Sequence, residues 1–379
     1  MRPIVILTVF LLTSFLAAQR KYPDPYKFEF KKIADDIYLA YRPNPLKALV
    51  EGNSTIIIND RDVVVFDATG SPRGAGQIVD KIKELTEKPV RYLINSHGHG
   101  DHTLGNQVFV KAFPGCEIIA REETRKYMSA PEGSTGKNRG IAYVYEFQTE
   151  AGIEKRIKYL QDEIEKVKQE AKPGYQAILD NLTEYLEQDL ALRRKEYLSV
   201  EVTPPTFTFE NQLTLHRGDR EIQLLYLGKG DTPGDVWLYL PREKMLCSPD
   251  AFVHPIPYGF SRNPLEWLET LKGVREMDFD MIIPGHGEIQ YDKAYLSLVI
   301  ALLETIQDQV KEAVQKGMSL EATEAFVKVD HLQHKFTQND PVKTYYFEGY
   351  SKSPVIQRTY NELTKSGSLP FKCCHSGVF

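Results

Sequence analysis

Cysteine is scarce: four residues in a chain of 379 are too few to staple a fold, so an ordinary hydrophobic core must hold it. Cys116 and Cys247 stand in apolar, strand-like surroundings and read as buried thiols, whereas Cys373 and Cys374 lie with His375 in a tail, where plain terminal disorder outweighs metal binding. An excess of positive charge is also missing. Lys and Arg number 47 against 52 Asp and Glu, a formal net charge of −5, which gives no general attraction to phosphate backbones and excludes nucleic acid as an expected partner. Internal repeats are absent. Hydrophobic residues at 42% and charged ones at 26% are ordinary values for a globular chain, excluding disorder and fibrous repeats.

What is present begins with Arg2, an apolar run from Ile4 to Leu16, then Ala17 and Ala18 before Gln19 and Arg20. The run is short for a membrane span and ends in a small-residue pair, so it predicts an export signal cleaved after residue 18. No Cys follows it to take a lipid. The expected mature protein is periplasmic or secreted, with no stable membrane insertion.

Short runs rich in branched residues then predict strands at Ile37 to Ala40, Ser54 to Ile58, Val63 to Asp67 and Val90 to Asn95, with a helix over Gly76 to Lys88 between the last two. Further strands are expected at Glu117 to Ala120, Gln223 to Leu227, Val236 to Leu240, Met245 to Cys247 and Met281 to Ile283. Alternating strands and helices argue for a layered α/β body. Between about 152 and 197 the pattern changes. Ile153, Ile157, Leu160, Ile164 and Val167 step by four and three; Lys172, Pro173 and Gly174 interrupt; and Tyr175, Ile178, Leu182 and Tyr185 resume. This predicts an antiparallel helical hairpin, whose role is packing or contact with a second copy of the chain. An apolar helix through Leu296, Val299, Leu302 and Ile306 opens a more polar C-terminal stretch.

The chemistry is concentrated at His97-Gly98-His99-Gly100-Asp101-His102, three imidazoles and a carboxylate in six residues directly after a predicted strand. Neutral imidazole is the commonest zinc ligand and carboxylate adds charge and a hard oxygen, so the density points to a metal. The run resembles the HxHxDH signature of the metallo-β-lactamase superfamily, and four further landmarks follow its order. Asp67 closes a strand as an early aspartate does in that family. Gly228 to Asp235 is similar to a loop that usually reads GxGHTxGD. Ser248-Pro249-Asp250 stands where the family has a bridging aspartate, with Pro249 in place of the usual glycine. Pro284-Gly285-His286-Gly287 matches the last histidine loop.

The resemblance covers about residues 33 to 290 and implies a four-layered αββα sandwich with the hairpin as an insertion. The organisation expected from it is a signal over 1–18, a metallo-β-lactamase-fold domain over 22–290 and a C-terminal helical extension over 291–379. It further implies that His97 and His99 hold a first ion, that Asp101, His102 and His286 hold a second, that Asp250 bridges them, and that Asp101 orients the attacking water. One or two Zn²⁺ ions are expected. Asp231 stands where the pattern has a third histidine of the first site; a carboxylate there favours a harder ion such as Mn²⁺ or Fe, or leaves the site weak. His254 and Tyr258, following the bridging aspartate, are candidate substrate-binding residues beside Phe260. The stretch from Arg42 to Asn53 is a candidate flap, and His216, His331 and His334 read as exposed or packed rather than ligating. The expected activity is metal-dependent hydrolysis of a small ester, lactone, thioester or β-lactam, the alternative being a non-catalytic metal-binding or assembly protein of the same fold.

Overall fold

A computed structural model describes residues 26–42, 46, 50–129, 144, 147–170, 172 and 174–364. The export signal and the Cys373 to His375 tail lie outside them. Two sheets form the centre. The first has seven strands in the order β1 (Glu29–Ala34), β2 (Ile37–Tyr41), β3 (Ser54–Ile58), β4 (Val63–Phe66), β5 (Val90–Ile94), β6 (Glu117–Arg121) and β7 (Phe207–Phe209). The strands from β1 to β4 pair antiparallel and those from β4 to β7 pair parallel. The second sheet runs β12 (Met281–Ile283), β11 (Met245–Cys247), β10 (Trp237–Leu240), β9 (Arg220–Leu225) and β8 (Gln212–Arg217), with only the β11–β12 pair parallel.

Side-chain alternation explains the layering. In a strand successive side chains point to opposite faces, so Ile57, Val64 and Phe66 of the first sheet meet Leu238, Met245, Cys247 and Ile283 of the second in one buried core. Their neighbours Ile56, Ile58, Val63 and Val65 face outward onto the helix Pro72–Leu85 through Ile78, Val79 and Ile82. Trp237, Leu246 and Ile282 face outward from the second sheet onto the helices Pro264–Glu276 and Ala294–Gln315. Strands covered on both faces read as near-continuous apolar runs, and the result is helix, sheet, sheet, helix: the expected sandwich.

The first helix starts at Pro72 rather than at Gly76. Ser71 accepts a hydrogen bond from the Gly74 amide and proline occupies the first turn, a start signal stronger than the apolar periodicity. Strands β1, β7 and β8 were not expected. They are short or largely exposed, so no inward-outward pattern marks them.

Between β6 and β7 the chain forms the helices Glu150–Glu170 and Tyr175–Glu184, the latter continuing through a wider turn over Tyr185–Asp189 into Leu190–Leu198. The interruption occurs at Gly174, whose φ of 83° suits glycine. The seam departs from expectation at one position: Arg156, rather than Ile157, is buried on the first arm. The hairpin tip packs on the C-terminal helices of the same chain. A side chain at Gly174 would meet Pro341, and the Tyr175 and Tyr345 rings stack edge to face with centroids 5.7 Å apart. Cys116 and Cys247 are free and buried. Among the described residues no helix is long and apolar enough to cross a membrane.

Candidate metal centre

Most candidate ligands sit where parallel strands end, the place where an α/β architecture brings side chains together at one edge. After β5, Asn95 is buried and exchanges side-chain hydrogen bonds of 2.9 and 2.8 Å with Asn106. The chain then turns through His97 and His99 into the short helix Gly100–Thr103, which carries Asp101 and His102. Asp250 follows β11 and His286 follows β12. Asp231 comes from the loop between β9 and β10, where the Asp235 carboxylate accepts hydrogen bonds from the Asp231 and Thr232 amides at 2.8 and 3.0 Å.

Two groups of potential ligand atoms result, each within 4.8 Å of one another: His97, His99, Asp231 and Asp250, and then Asp101, His102, Asp250 and His286. Asp250 belongs to both. Its Oδ1 is 3.1 Å from His102 Nε2, and its Oδ2 is 3.3 Å from His286 Nε2 and 3.9 Å from His97 Nε2. Asp231 Oδ2 lies 3.0 Å from His99 Nδ1 and 3.8 Å from His97 Nε2. Asp101 Oδ2 is 3.1 Å from His286 Nε2. The structure thus brings the seven candidate ligands together, Asp231 among them, and gives both groups two imidazoles and two carboxylates.

The opposite ring nitrogens show which atoms are reserved. His102 Nδ1 is 2.8 Å from Asp67 Oδ2, His286 Nδ1 donates to the Glu51 carbonyl at 3.1 Å, and His97 Nδ1 is 2.9 Å from Ser96 Oγ. Each contact turns Nε2 inward, the arrangement in which a second partner fixes ring orientation and tautomer of a metal-ligating histidine. Asp67 is itself held by the Ser96 amide on Oδ1 at 2.7 Å, and its backbone has φ of 67°, an uncommon conformation for a non-glycine residue. Inside the cluster His97 Nε2 is buried without a hydrogen-bond partner in the chain, and the buried Asp231 Oδ2 has the His99 ring nitrogen at 3.0 Å as its polar neighbour. Buried polar atoms are rarely left so, and nitrogen and carboxylate donors aimed at one volume fit a divalent cation.

The electrostatics agree. Burial disfavours charge on His102, but Asp250, Asp67 and Asp101 hold its protonation well above the ordinary histidine range. His286, opposed by burial and drawn by Asp250, rises to about 9, and His99, opposed by burial and drawn by Asp231, also to about 9. His97 goes the other way, pushed well down by burial and by the neighbouring imidazoles. Asp235 is raised to about 8 by burial and then by Asp231. Crowded carboxylates that draw protons onto imidazoles are the environment that a divalent cation neutralises.

The candidate substrate residues separate. Tyr258 is buried with its ring centroid 5.5 Å from that of His286. The His254 ring packs edge to face on Tyr295 at 4.8 Å, outside both ligand groups, while its backbone amide donates to the His286 carbonyl at 3.1 Å. Burial lowers the His254 imidazole to about 4. His216, His331 and His334 are exposed. The candidate flap resolves differently from expectation in its described part: Glu51, Gly52 and Asn53 are buried and hydrogen-bonded to the ligand loops, so they are interior. Sequence reasoning also missed Tyr127, which lies 6.1 Å from the His99 ring and occupies the space a side chain at Gly98 would need. Only the bare Gly98 between two histidines hinted at a close neighbour.

The sequence model of the metallo-beta-lactamase superfamily matches residues 49–286. The chain belongs to this superfamily. A linear primary-alkylsulfatase from Pseudomonas sp. is 21% identical over 268 residues, covering 68% of this chain and 46% of the relative. The solved structure of a stereoselective inverting sec-alkylsulfatase from Pseudomonas sp. superposes with a TM-score of 0.61 at 16% identity, over 91% of this chain and 52% of that one. A metallo-β-lactamase from Pontibacter korlensis superposes with a TM-score of 0.48 at 15% identity, over 73% of this chain and 99% of that one. The chain therefore spans about half the length of the alkylsulfatases it matches.

Proposed function

We propose that this protein is an exported zinc hydrolase of small esters, with alkyl sulfates the first class to be tried. The observation that carries the reading is the pair of four-residue ligand groups sharing Asp250. Zinc held there supplies a Lewis acid and makes water nucleophilic near neutral pH. The chain's own residues do the rest. Asp101 is the most exposed of the three cluster carboxylates, 16% against 3% for Asp231 and 4% for Asp250, which supports its role as the group that orients the attacking water. Tyr258 walls the site beside His286. Tyr127 flanks the cluster on the His99 side, and the charge of the exposed Arg262 acts on it, which is in keeping with an anionic substrate. The likeness to a sec-alkylsulfatase over 91% of the chain supports the same choice.

The test is a substrate panel with purified, zinc-loaded protein: a primary and a secondary alkyl sulfate followed by release of inorganic sulfate, alongside a chromogenic carboxylic ester, a lactone and a chromogenic β-lactam. Sulfate release that disappears in Asp101→Ala supports the proposal. Turnover of only the carboxylic or lactam substrates moves the substrate class, and no turnover by a protein holding its full zinc complement favours the non-catalytic metal-binding reading.

A further inference from the structure

We propose that Glu51, Gly52 and Asn53 are positioning residues, a strap that holds Asp101, His102 and His286 in register for the second ion; this rests on reading those three as metal ligands. The problem the strap solves is topological. Asp101 and His102 follow β5 of the first sheet and His286 follows β12 of the second, so the ligand distances depend on how the edges of two separate sheets are locked together.

Three consecutive residues, entering β3, bridge those edges. The Asn53 side-chain amide donates to the carbonyls of Pro284 and Gly287, both at 2.9 Å, and the Asn53 backbone amide donates to Gly285 at 2.8 Å. The histidine loop is thus gripped on both sides of His286. The Glu51 carbonyl receives the His286 Nδ1 proton at 3.1 Å, which leaves Nε2 for the cluster. On the other side the Gly52 amide donates to the Asp101 carbonyl at 2.9 Å. Any side chain at Gly52 would come within 2.6 Å of the His102 ring, so the strap runs flush against that ligand. The buried Glu51 carboxylate accepts from Thr69 Oγ1 at 2.6 Å and the Gly70 amide at 2.8 Å. That fixes a turn whose Gly70 backs directly onto Asp101, where an added side chain would lie 2.7 Å from the Asp101 Cα. None of the three residues supplies an atom to either ligand group. Their hydrogen bonds reach the Asp101 carbonyl, His286 Nδ1, the loop on both sides of His286 and the turn behind Asp101, so the grip described falls on the second group rather than on His97, His99 or Asp231.

The asymmetry makes the strap testable with the full-length chain, stripped of metal and titrated with Co²⁺ (read by its visible absorption) and with Zn²⁺ against a chromophoric chelator. The parent should take two equivalents. Asn53→Ala and Asn53→Asp, which remove the two side-chain donors, should weaken one equivalent by roughly 10–100-fold and shift its Co²⁺ spectrum, leaving the other within about threefold. Glu51→Gln keeps an acceptor oxygen and should recover most of what Glu51→Ala loses. Melting of the metal-free variants checks folding, and if Asn53→Ala does not fold the Glu51 pair decides. Unchanged spectra with both affinities preserved, or equal loss of both equivalents, overturns the strap. A folded parent that takes up no metal overturns the metal reading and the strap with it.

Discussion

Replacing Asp231 by Ala probes the position where this chain departs from the usual ligand pattern. Asp231 Oδ2 is one of four potential ligands in the first group, 3.0 Å from His99 Nδ1, and contributes nothing to the second group. A four-ligand zinc site is worth about 10–16 kcal/mol in all, so one ligand is worth about 3 kcal/mol, roughly a hundredfold in Kd. Asp231→Ala should therefore weaken one zinc equivalent by about two orders of magnitude and spare the other. The metal-free protein loses two opposing contacts at once, the like charge beside Asp235, which burial and Asp231 push to about 8, and the carboxylate that draws His99 up to about 9, so its melting should change far less than that of the zinc-loaded protein. Asp231→His, which swaps the carboxylate for a borderline nitrogen, should raise selectivity for zinc over manganese. Chelator competition and elemental analysis read the affinities, and calorimetry reads the melting. Two zinc equivalents held by Asp231→Ala as tightly as by the parent, or both weakened alike, would refute Asp231 as a ligand of the first ion.

Other outcomes follow from the same geometry. His102→Ala and His286→Ala should each remove the second ion and hydrolysis together, since each supplies one of that group's four ligands; unchanged metal content would rule both out as ligands. Asp67→Asn exchanges the carboxylate facing His102 Nδ1 at 2.8 Å for an amide and should cost about 10–100-fold in metal affinity or activity, and equal metal binding would make Asp67 a purely structural strand end. His254 has a folded pKa of about 4, depressed from 6.5 by burial. Below 6.5 the unfolded chain takes up a proton that the folded chain refuses, so stability falls as pH drops from about 6.5 to about 4 and then levels. His254→Gln should lose less over that window in denaturant melts, and identical pH profiles would remove His254 as a source of acid sensitivity.

Much of this protein is legible along the chain because its signals are local. Strands β3, β4, β11 and β12 are apolar runs bounded by polar turns, and burial on both faces demands such runs wherever the strand lies in a sandwich. The ligands at 97, 99, 101 and 102 fall within six residues, so one strand end places them together. Asp67, Asp250 and His286 could be named from the sequence because each follows a recognisable strand and stands in the family order.

Convergence itself was decided only by tertiary structure. His102 and His286 are 184 residues apart, yet their Nε2 atoms stand 3.1 Å from each other; that depends on two sheets packing face to face, which no local pattern encodes. The same packing put Asp231 within reach of His99, carried the His254 ring out to Tyr295 while Tyr258 stayed beside His286, and turned Glu51 to Asn53 from an expected surface flap into a buried strap. Side-chain direction after Asp250 and burial before β3 are set by what packs against them from distant segments, and a sequence of residue types specifies those neighbours only collectively, once the chain has folded.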